Sequence, residues 1–538
     1  VGTTSIIWRL KARRVLATAT GIDATLLPDT GGGSRYPVAK WVRIRPMTTN
    51  ESRPLDPCPR KGISRQTLLR GAMSVLATGA VLGTTRAAAD QGTGWGGLAS
   101  SIGGRVLLPS DGAQFNTSKK VFNSFYDNSN PAAIVTVLSQ SDVQKAVAFA
   151  ASNNLKIAPR GGGHSYVGAS NASGAMVLDL RGLPGGANFD ADSGNVTVTP
   201  ATDVQAVQQA LGAAGRAMPT GRGPTVGIAG LALGGGIGAD SRHAGLTCDA
   251  LQSATVVLPG GEVVTASAHD NPDLFWALRG GGGGNFGVTT SMTFATFPTA
   301  DSDLVWLDFA PSSAVQVLTG WQSWLSTADR NSWGMVDLSV GSAQANCRLL
   351  ATCPAGAGPG VVGALKSAVG VAPSSAQNKT LSHVDLMTYL SGGNSASSPR
   401  AFVAGSDVIG TLNSAAAHAI ATAIGQWPAS GSGTASVIVY PLGGAVGDVA
   451  AGDTAFPWRT QAAVLQWYVE PAGNEVAAAN KWLAATHQAV QQYSVGGYVN
   501  YLEANTPAAR YFGSNLSRLT TVRQKYDPNR VMFSGLTF

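Results

Sequence analysis

The sequence predicts a mixed strand-and-helix protein of more than one domain, with an α+β or α/β first half and a second half of different texture. Three observations carry this reading. Strand-forming and helix-forming stretches alternate up to about Phe297. From about residue 300, Trp306, Trp321, Trp324 and Trp333 fall close together, and Gly/Ser/Ala-rich loops separate the strand-like runs. Three glycine clusters, Gly161 to Gly168, Gly227 to Gly238 and Gly280 to Gly287, each follow an apolar stretch, as expected where loops bring backbone N–H groups up to phosphates.

The 538 residues are 44 % hydrophobic and 12 % charged, enough for a large core in two or three domains. The net charge of +7 is unevenly placed. Residues 1–89 hold 14 of the 37 Lys/Arg and 4 of the 30 Asp/Glu, a local balance of +10 against −3 for the rest. The body therefore has no basic stripe, which argues against a nucleic-acid partner. Of the four cysteines, Cys58 lies in the leader, Cys248 stands alone, and Cys347 and Cys353 are close enough to pair. Neither Cys-x-x-Cys nor His-Glu-x-x-His occurs, so no metal centre is expected.

Residues 1–89 read as a leader with an export signal. Residues 1–63 show no hydrophobic period, and Met47 is an alternative start. Ser64-Arg65-Gln66-Thr67-Leu68-Leu69-Arg70 precedes an apolar run from Ala72 to Leu82, and Ala87-Ala88-Ala89 offers a cleavage site. The pattern resembles a twin-arginine signal, with Gln66 where the second arginine belongs. The run is too short to span a bilayer, so a secreted protein without a membrane anchor is expected.

In the body, Ser141-Asp142-Val143-Gln144 predicts a capped helix burying Val143, Ala146, Val147 and Ala150, and Leu155 to Pro159 a short strand. Val177 to Leu180 and Val196 to Thr199 are further strands. Thr202-Asp203-Val204-Gln205 opens a second helix, with Val204, Val207 and Leu211 inward and Gly212 as its stop. Val437 to Tyr440 and Ala463 to Tyr468 read as strands, and Leu516 to Tyr526 as a helix closed by Asp527-Pro528.

Two glycine clusters contain a formal dinucleotide fingerprint, Gly282-x-Gly284-x-x-Gly287 and Gly234-x-Gly236-x-x-Ala239. Both fail its context. The first runs into strand-forming Val288 to Phe294, and the second into Asp240-Ser241-Arg242-His243 with no apolar helical period. The sharpest residue is His164, in Arg160-Gly161-Gly162-Gly163-His164-Ser165-Tyr166. An imidazole flanked by glycines is open to a ligand and can act as a nucleophile or attachment point. No Gly-x-Ser-x-Gly is present, so a serine-hydrolase elbow is unsupported.

Four segments together resemble the berberine-bridge-enzyme-like group of the vanillyl-alcohol-oxidase superfamily of FAD-linked oxidases. They are Pro159 to Tyr166, Pro224-Thr225-Val226-Gly227-Ile228-Ala229-Gly230, Asp273-Leu274-Phe275-Trp276-Ala277-Leu278-Arg279-Gly280, and Tyr498-Val499-Asn500-Tyr501 with the tail. The resemblance implies an α+β fold: a two-part FAD-binding domain over residues 115–300, a substrate domain with an antiparallel sheet backed by helices over 301–495, and a C-terminal segment, 496–538, returning to the FAD domain. It implies covalent FAD on His164, with Arg160, Gly161, Gly162, Gly163 and Ser165 around the pyrophosphate. Further FAD contacts would be Gly168, Val226, Gly227, Gly235, Gly236, Gly238, Val288 and Asn500. Many relatives have a second link, to a cysteine where this chain has Gly223, so attachment through His164 only is expected. Val226 sits where the family places a small residue on the dioxygen path, which favours an oxidase.

For an alcohol substrate, Tyr498 is the expected base, with Tyr501 its rival. Gln466 matches a strand residue that faces the flavin in relatives, and as an amide it orients rather than deprotonates. Trp458 in Phe456-Pro457-Trp458-Arg459 replaces a histidine common in relatives, so the substrate pocket is expected to differ. Three functions stay open: an oxidase of an alcohol or sugar hydroxyl releasing hydrogen peroxide, a secondary-metabolite oxidase forming a ring or double bond, and a non-catalytic flavin-binding protein. The partners expected are a small-molecule substrate and dioxygen, with no nucleic acid, no membrane and an open oligomeric state.

Overall fold

A computed structural model describes residues 94–341, 344–392, 397–428, 433–473, 475–536 and 538. The export leader, with Cys58 and Met47, lies outside the described residues. The first sheet contains β1 (Arg105–Leu107), β2 (Ala133–Thr136), β3 (Ile157–Arg160) and β4 (Met176–Asp179) in the order β1-β2-β4-β3. β4 runs parallel to both β2 and β3. Every residue of β4 is buried, as befits a parallel strand covered on both faces.

The helix that crosses this sheet, Gln140–Ser152, buries Val143, Ala146, Val147 and Ala150, the face the periodicity predicts. Its cap differs from the expectation. Ser139, not Ser141, is the N-cap and accepts from the Asp142 N–H. The Asp142 carboxylate instead accepts from the backbone N–H groups of Gly103 and Leu138, which ties the helix start to the preceding chain.

A second sheet follows, with β5 (Ala187–Asp190), β6 (Asn195–Val198), β8 (Leu251–Val257), β9 (Val263–Ser267) and β10 (Val288–Ala295) in the antiparallel order β5-β6-β10-β8-β9. A two-stranded pair, β7 (Arg216–Ala217) with β11 (Phe297–Pro298), sits beside it. The helix Val204–Ala213 is capped by Asp203, whose side chain accepts from the Ala206 N–H, and buries Val204, Val207 and Leu211. It runs one residue past Gly212.

The third sheet has eight antiparallel strands: β12 (Ser302–Phe309), β13 (Trp333–Val340), β14 (Ala345–Pro354), β15 (Ser375–Leu381), β16 (Val403–Ile409), β17 (Gly433–Pro441), β18 (Ala463–Pro471) and β19 (Ser494–Gly496). Their order is β15-β12-β14-β13-β17-β18-β16-β19. Alternation sorts its residues. Val336, Leu349, Val437, Leu465 and Trp467 pack under helices Ala314–Thr327, Ser414–Gly425 and Val476–Val490. The opposite face carries Met335, Tyr440 and Val464, which pack with Phe456 and Tyr498. The clustered tryptophans thus split, Trp321 and Trp324 into the helix-side core and Trp333 onto the other face.

Cys347 and Cys353 are both free and buried. They lie on the same extended strand, β14, where six residues span roughly 20 Å, so they cannot bridge. The C-terminal helix Leu516–Tyr526 has the bounds the sequence predicts. After it the chain returns to the first sheet, where Met532 bridges Ile157 in β3 and the Phe533 N–H donates to the Ile157 carbonyl at 2.7 Å.

Candidate active site

The glycine loops, the open face of the third sheet and the Tyr498–Leu502 turn enclose a cavity of about 540 Å³, within the range of about 300–1,000 Å³ usual for cofactor and ligand clefts. Its first wall is nearly bare backbone. Gly161, Gly162, Gly163, Gly227, Gly282, Gly283 and Gly284 all line it. A Cβ on Gly162 would stand 2.2 Å from the Gly227 nitrogen, and one on Gly227 would stand 2.3 Å from the Gly162 nitrogen. Only glycine lets these two loops meet backbone to backbone.

His164 stands at the end of this wall. Its Nε2 is 3.0 Å from Thr225 Oγ1, and its ring stacks on Phe122 with centroids 4.0 Å apart. Burial lowers its pKa to about 4, so the imidazole is neutral at pH ~7. The Thr225 contact occupies Nε2, and Nδ1 has no hydrogen-bond partner among the described residues. That leaves Nδ1 of a fixed ring as the nitrogen free for attachment.

The second wall is aromatic and polar. Tyr498 is 1 % exposed, and its hydroxyl oxygen accepts from the Gly236 N–H at 2.7 Å and from Asn500 Nδ2 at 2.8 Å. Burial raises its pKa, and these two donors oppose the rise by favouring the phenolate. Asn500 is itself fixed by donating to the Leu231 carbonyl at 2.9 Å. Tyr501 stacks on Tyr166 with centroids 5.2 Å apart, and its hydroxyl has no hydrogen bond among the described residues. Gln466, on β18, donates to the Tyr166 hydroxyl and accepts from the Tyr440 hydroxyl at 3.3 Å. All three residues expected to do chemistry therefore line one cavity.

Among the residues expected to contact cofactor, Gly161, Gly162, Gly163, His164, Ser165, Val226, Gly227 and Asn500 line the cavity. The remaining six do not, and each has a reason. Arg160 points away from the loop, fully buried, with its Nη2 2.7 Å from Asp179 on the neighbouring strand. Val288 is packed into the core beside Val257. Gly168 has φ 62°, and a Cβ there would strike the Tyr126 ring. A Cβ on Gly235 would press on Tyr498, one on Gly236 on Thr247, and one on Gly238 on the Thr220 carbonyl. Gly235 packs against Tyr498, and the Gly236 N–H donates to its oxygen.

Sequence reasoning missed Phe122, Thr225, Tyr166, Arg222 and Tyr440, and the Ser534–Leu536 stretch that closes the cavity. Gly282, Gly283 and Gly284 of the third glycine cluster also line the cavity, though none was among the individual residues expected to contact cofactor. No carboxylate among the described residues lines the cavity, and bare backbone N–H groups suit a pyrophosphate. With a neutral imidazole at one end, the residues present fit FAD.

The Tyr498 turn is anchored from behind by a buried ionic cluster. His487 donates from Nδ1 to Asp407 and from Nε2 to Glu503, each at 2.7 Å. Asp407 also accepts from Arg510 at 2.8 Å, Ser494 at 2.6 Å and Trp467 at 2.9 Å. Glu503 accepts from the Ser406 N–H, while Ser406 Oγ accepts from the Tyr498 N–H at 2.9 Å. Burial disfavours the imidazolium, but the two carboxylates outweigh it and raise the His487 pKa from 6.5 to about 9. A folded-state pKa above the unfolded value means stability that is full below pH ~6.5 and lost as pH rises through ~9. The loss is on the order of 3 kcal/mol. Melting temperature followed across that window should fall in the wild type and be flatter in His487→Gln. Parallel profiles would show that the cluster does not carry this charge.

A family model for an FAD binding domain matches residues 131–267, and one described as berberine and berberine-like matches residues 497–533. An FAD-linked oxidoreductase of Bacillus subtilis is 28 % identical over 446 residues, 80 % of this chain and 96 % of that one. A xylooligosaccharide oxidase of Thermothelomyces thermophilus is 39 % identical over 204 residues, 36 % of this chain and 40 % of that one. Among solved structures, a Physcomitrella patens berberine-bridge-enzyme-like protein superposes with a TM-score of 0.75 at 25 % identity, covering 81 % of this chain and 97 % of that one. Fold and site thus define an FAD-dependent oxidoreductase. Within that class the chain belongs to the berberine-bridge-enzyme-like oxidases of the vanillyl-alcohol-oxidase superfamily.

Proposed function

We propose that this protein is an oxidase that takes hydride from an alcohol or sugar hydroxyl, with FAD attached through His164 alone. The observation that carries the reading is the Tyr498 oxygen, held in the cavity by two donors, opposite the bare-backbone wall that ends in His164. Bound FAD supplies the two-electron acceptor, which dioxygen restores with release of hydrogen peroxide.

The chain's own residues do the rest. As the phenolate, its own proton having first passed to solvent, Tyr498 receives the substrate hydroxyl proton and becomes a neutral phenol again; the Gly236 N–H and Asn500 Nδ2 stabilise the phenolate beforehand. Tyr501 and Tyr166 offer a flat surface on which a sugar or aromatic ring stacks. Gln466 orients the substrate hydroxyl by hydrogen bonding and cannot take its proton. Val226 lines the cavity beside Gly223, as expected for a residue on the dioxygen path. Attachment through His164 alone is supported by the cysteines: none in the described residues lines the cavity, and Cys248 is buried in the core.

The xylooligosaccharide oxidase similarity favours a carbohydrate hydroxyl. We also propose the domain limits near residues 300 and 495, and export through the leader signal. The functional reading is tested by anaerobic reduction of the flavin with a panel of oligosaccharides and aromatic alcohols, followed by admission of oxygen. One peroxide per carbonyl formed is expected. Reduction without oxygen uptake would make the protein a dehydrogenase, and no reduction by any alcohol would overturn the reading.

A further inference from the structure

The cavity has an unusual charge pattern. Arg222 and Arg400 line it, with no Asp, Glu or Lys among the described residues that do. Arg400 is engaged with Glu470 at 3.0 Å. Arg222 is different. It is enclosed, it sits directly before Gly223, and no carboxylate lies within ion-pair distance of it among the described residues. Its Nε and Nη2 donate to the Tyr440 hydroxyl at 3.2 and 2.5 Å, and its Nη1 donates to the Leu390 carbonyl at 3.3 Å. A guanidinium has five N–H groups. One on Nη1 and one on Nη2 are left without a described acceptor, the pair that a carboxylate takes in bidentate fashion.

The position argues against a role at the pyrophosphate. Tyr440 belongs to β17, and Leu390 ends the helix His383–Leu390, so the guanidinium lies on the sheet side of the cavity. Tyr440 hydrogen-bonds Gln466, and Gln466 hydrogen-bonds Tyr166, which joins the cation to the polar wall where the substrate binds. Three residues on, Thr225 holds His164, so the charge belongs to the ring end and not to the glycine loops. The acid whose charge Arg222 feels is Asp337, outside the cavity lining, with its own pKa raised by burial. A part-buried guanidinium with two free N–H groups and no described carboxylate in direct contact is a ready partner for an anionic group on a ligand.

We propose that Arg222 anchors a carboxylate on the substrate, so that the oxidised alcohol is a hydroxy acid or a saccharide bearing a uronic acid. This rests on the alcohol-oxidase reading of the same cavity, and it adds that the substrate is an anion. The aromatic wall holds the ring, Tyr498 takes the hydroxyl proton, and Arg222 fixes the opposite end of the molecule.

The test uses flavin-loaded enzyme and matched pairs: 4-(hydroxymethyl)benzoate against 4-methylbenzyl alcohol, and a galacturonate disaccharide against its neutral galactose counterpart. The acid should exceed its neutral partner in kcat/KM by about tenfold or more, the size expected of a charge-assisted pair. Arg222→Met should collapse that ratio, and Arg222→Lys should retain part of it. A preference for the neutral partner, or a ratio untouched in Arg222→Met, overturns the proposal. Benzoate titrated against the flavin absorbance separates this from the oxidase reading. If no alcohol is oxidised, yet benzoate binds wild type about tenfold more tightly than Arg222→Met, the anchor stands and the oxidase reading fails. Equal benzoate affinity in both proteins overturns the anchor.

Discussion

Tyr498→Phe is expected to lower kcat by about 10²–10⁴-fold, the contribution typical of a positioned general base. The hydroxyl is the only atom changed, and the ring keeps its edge-on contacts with Phe456 and Tyr501. The Gly236 N–H and Asn500 Nδ2 lose their acceptor, which costs roughly 1–3 kcal/mol for each donor left unsatisfied. A folded, flavin-loaded but slow variant is therefore the expected product. The measurement is the anaerobic rate of flavin reduction at saturating substrate. Because burial holds the Tyr498 pKa above its ordinary value, the wild-type rate should climb toward alkaline pH, and the variant should lose that rise. Tyr501→Phe should have a smaller effect, since the Tyr501 hydroxyl has no described donor to stabilise its anion. Near-normal reduction in Tyr498→Phe with collapse in Tyr501→Phe would transfer the base to Tyr501.

How much of this was legible depends on how local the determinant is. The helix Gln140–Ser152 was readable because its buried face follows from spacing alone, yet its cap is Ser139, with Asp142 turned to the nearby Leu138 N–H and the distant Gly103 N–H. The tail helix Leu516–Tyr526 was readable to its last residue, for Asp527-Pro528 ends it locally. Gln466 and Tyr498 were identified from their segments, but not their partners. Tyr166 lies 300 residues before Gln466, and Gly236 lies 262 before Tyr498. Arg160 misled for the same reason. Its glycine-rich context suggested a phosphate, while β3 points its side chain at Asp179 of β4, and only the strand pairing reveals that.

Glycine shows the limit most clearly. All three clusters announced close backbone approach, and all three deliver it, but against different neighbours. Gly162 and Gly227 meet each other, Gly236 meets Thr247, and Gly280 meets Phe456. Composition indicates that a Cβ is excluded and says nothing of what excludes it. In the second cluster, Gly235 lies against Tyr498 and Gly238 against the Thr220 carbonyl.

His164→Ala is expected to convert a covalently held flavin into a dissociable one, with the yellow colour passing into the supernatant after acid precipitation. Every feature of the residue converges on Nδ1. Thr225 holds Nε2 at 3.0 Å, Phe122 fixes the ring plane, and burial keeps the imidazole neutral with a pKa of about 4. The effect should be all-or-none because no cysteine among the described residues lines the cavity as a second tether. In a flavin also tethered through a cysteine, removing the histidine alone would leave the colour in the pellet. Here Gly223 lines the cavity and offers no thiol, while Cys248, Cys347 and Cys353 lie in the core. Thr225→Val should act on the same atom indirectly. It removes the hydroxyl that holds Nε2 and fixes the ring, so the fraction of covalent flavin should fall while cavity and fold persist. Colour retained in the pellet of His164→Ala would require a nucleophile other than these, and peptide mapping of the flavin-bearing fragment would identify it.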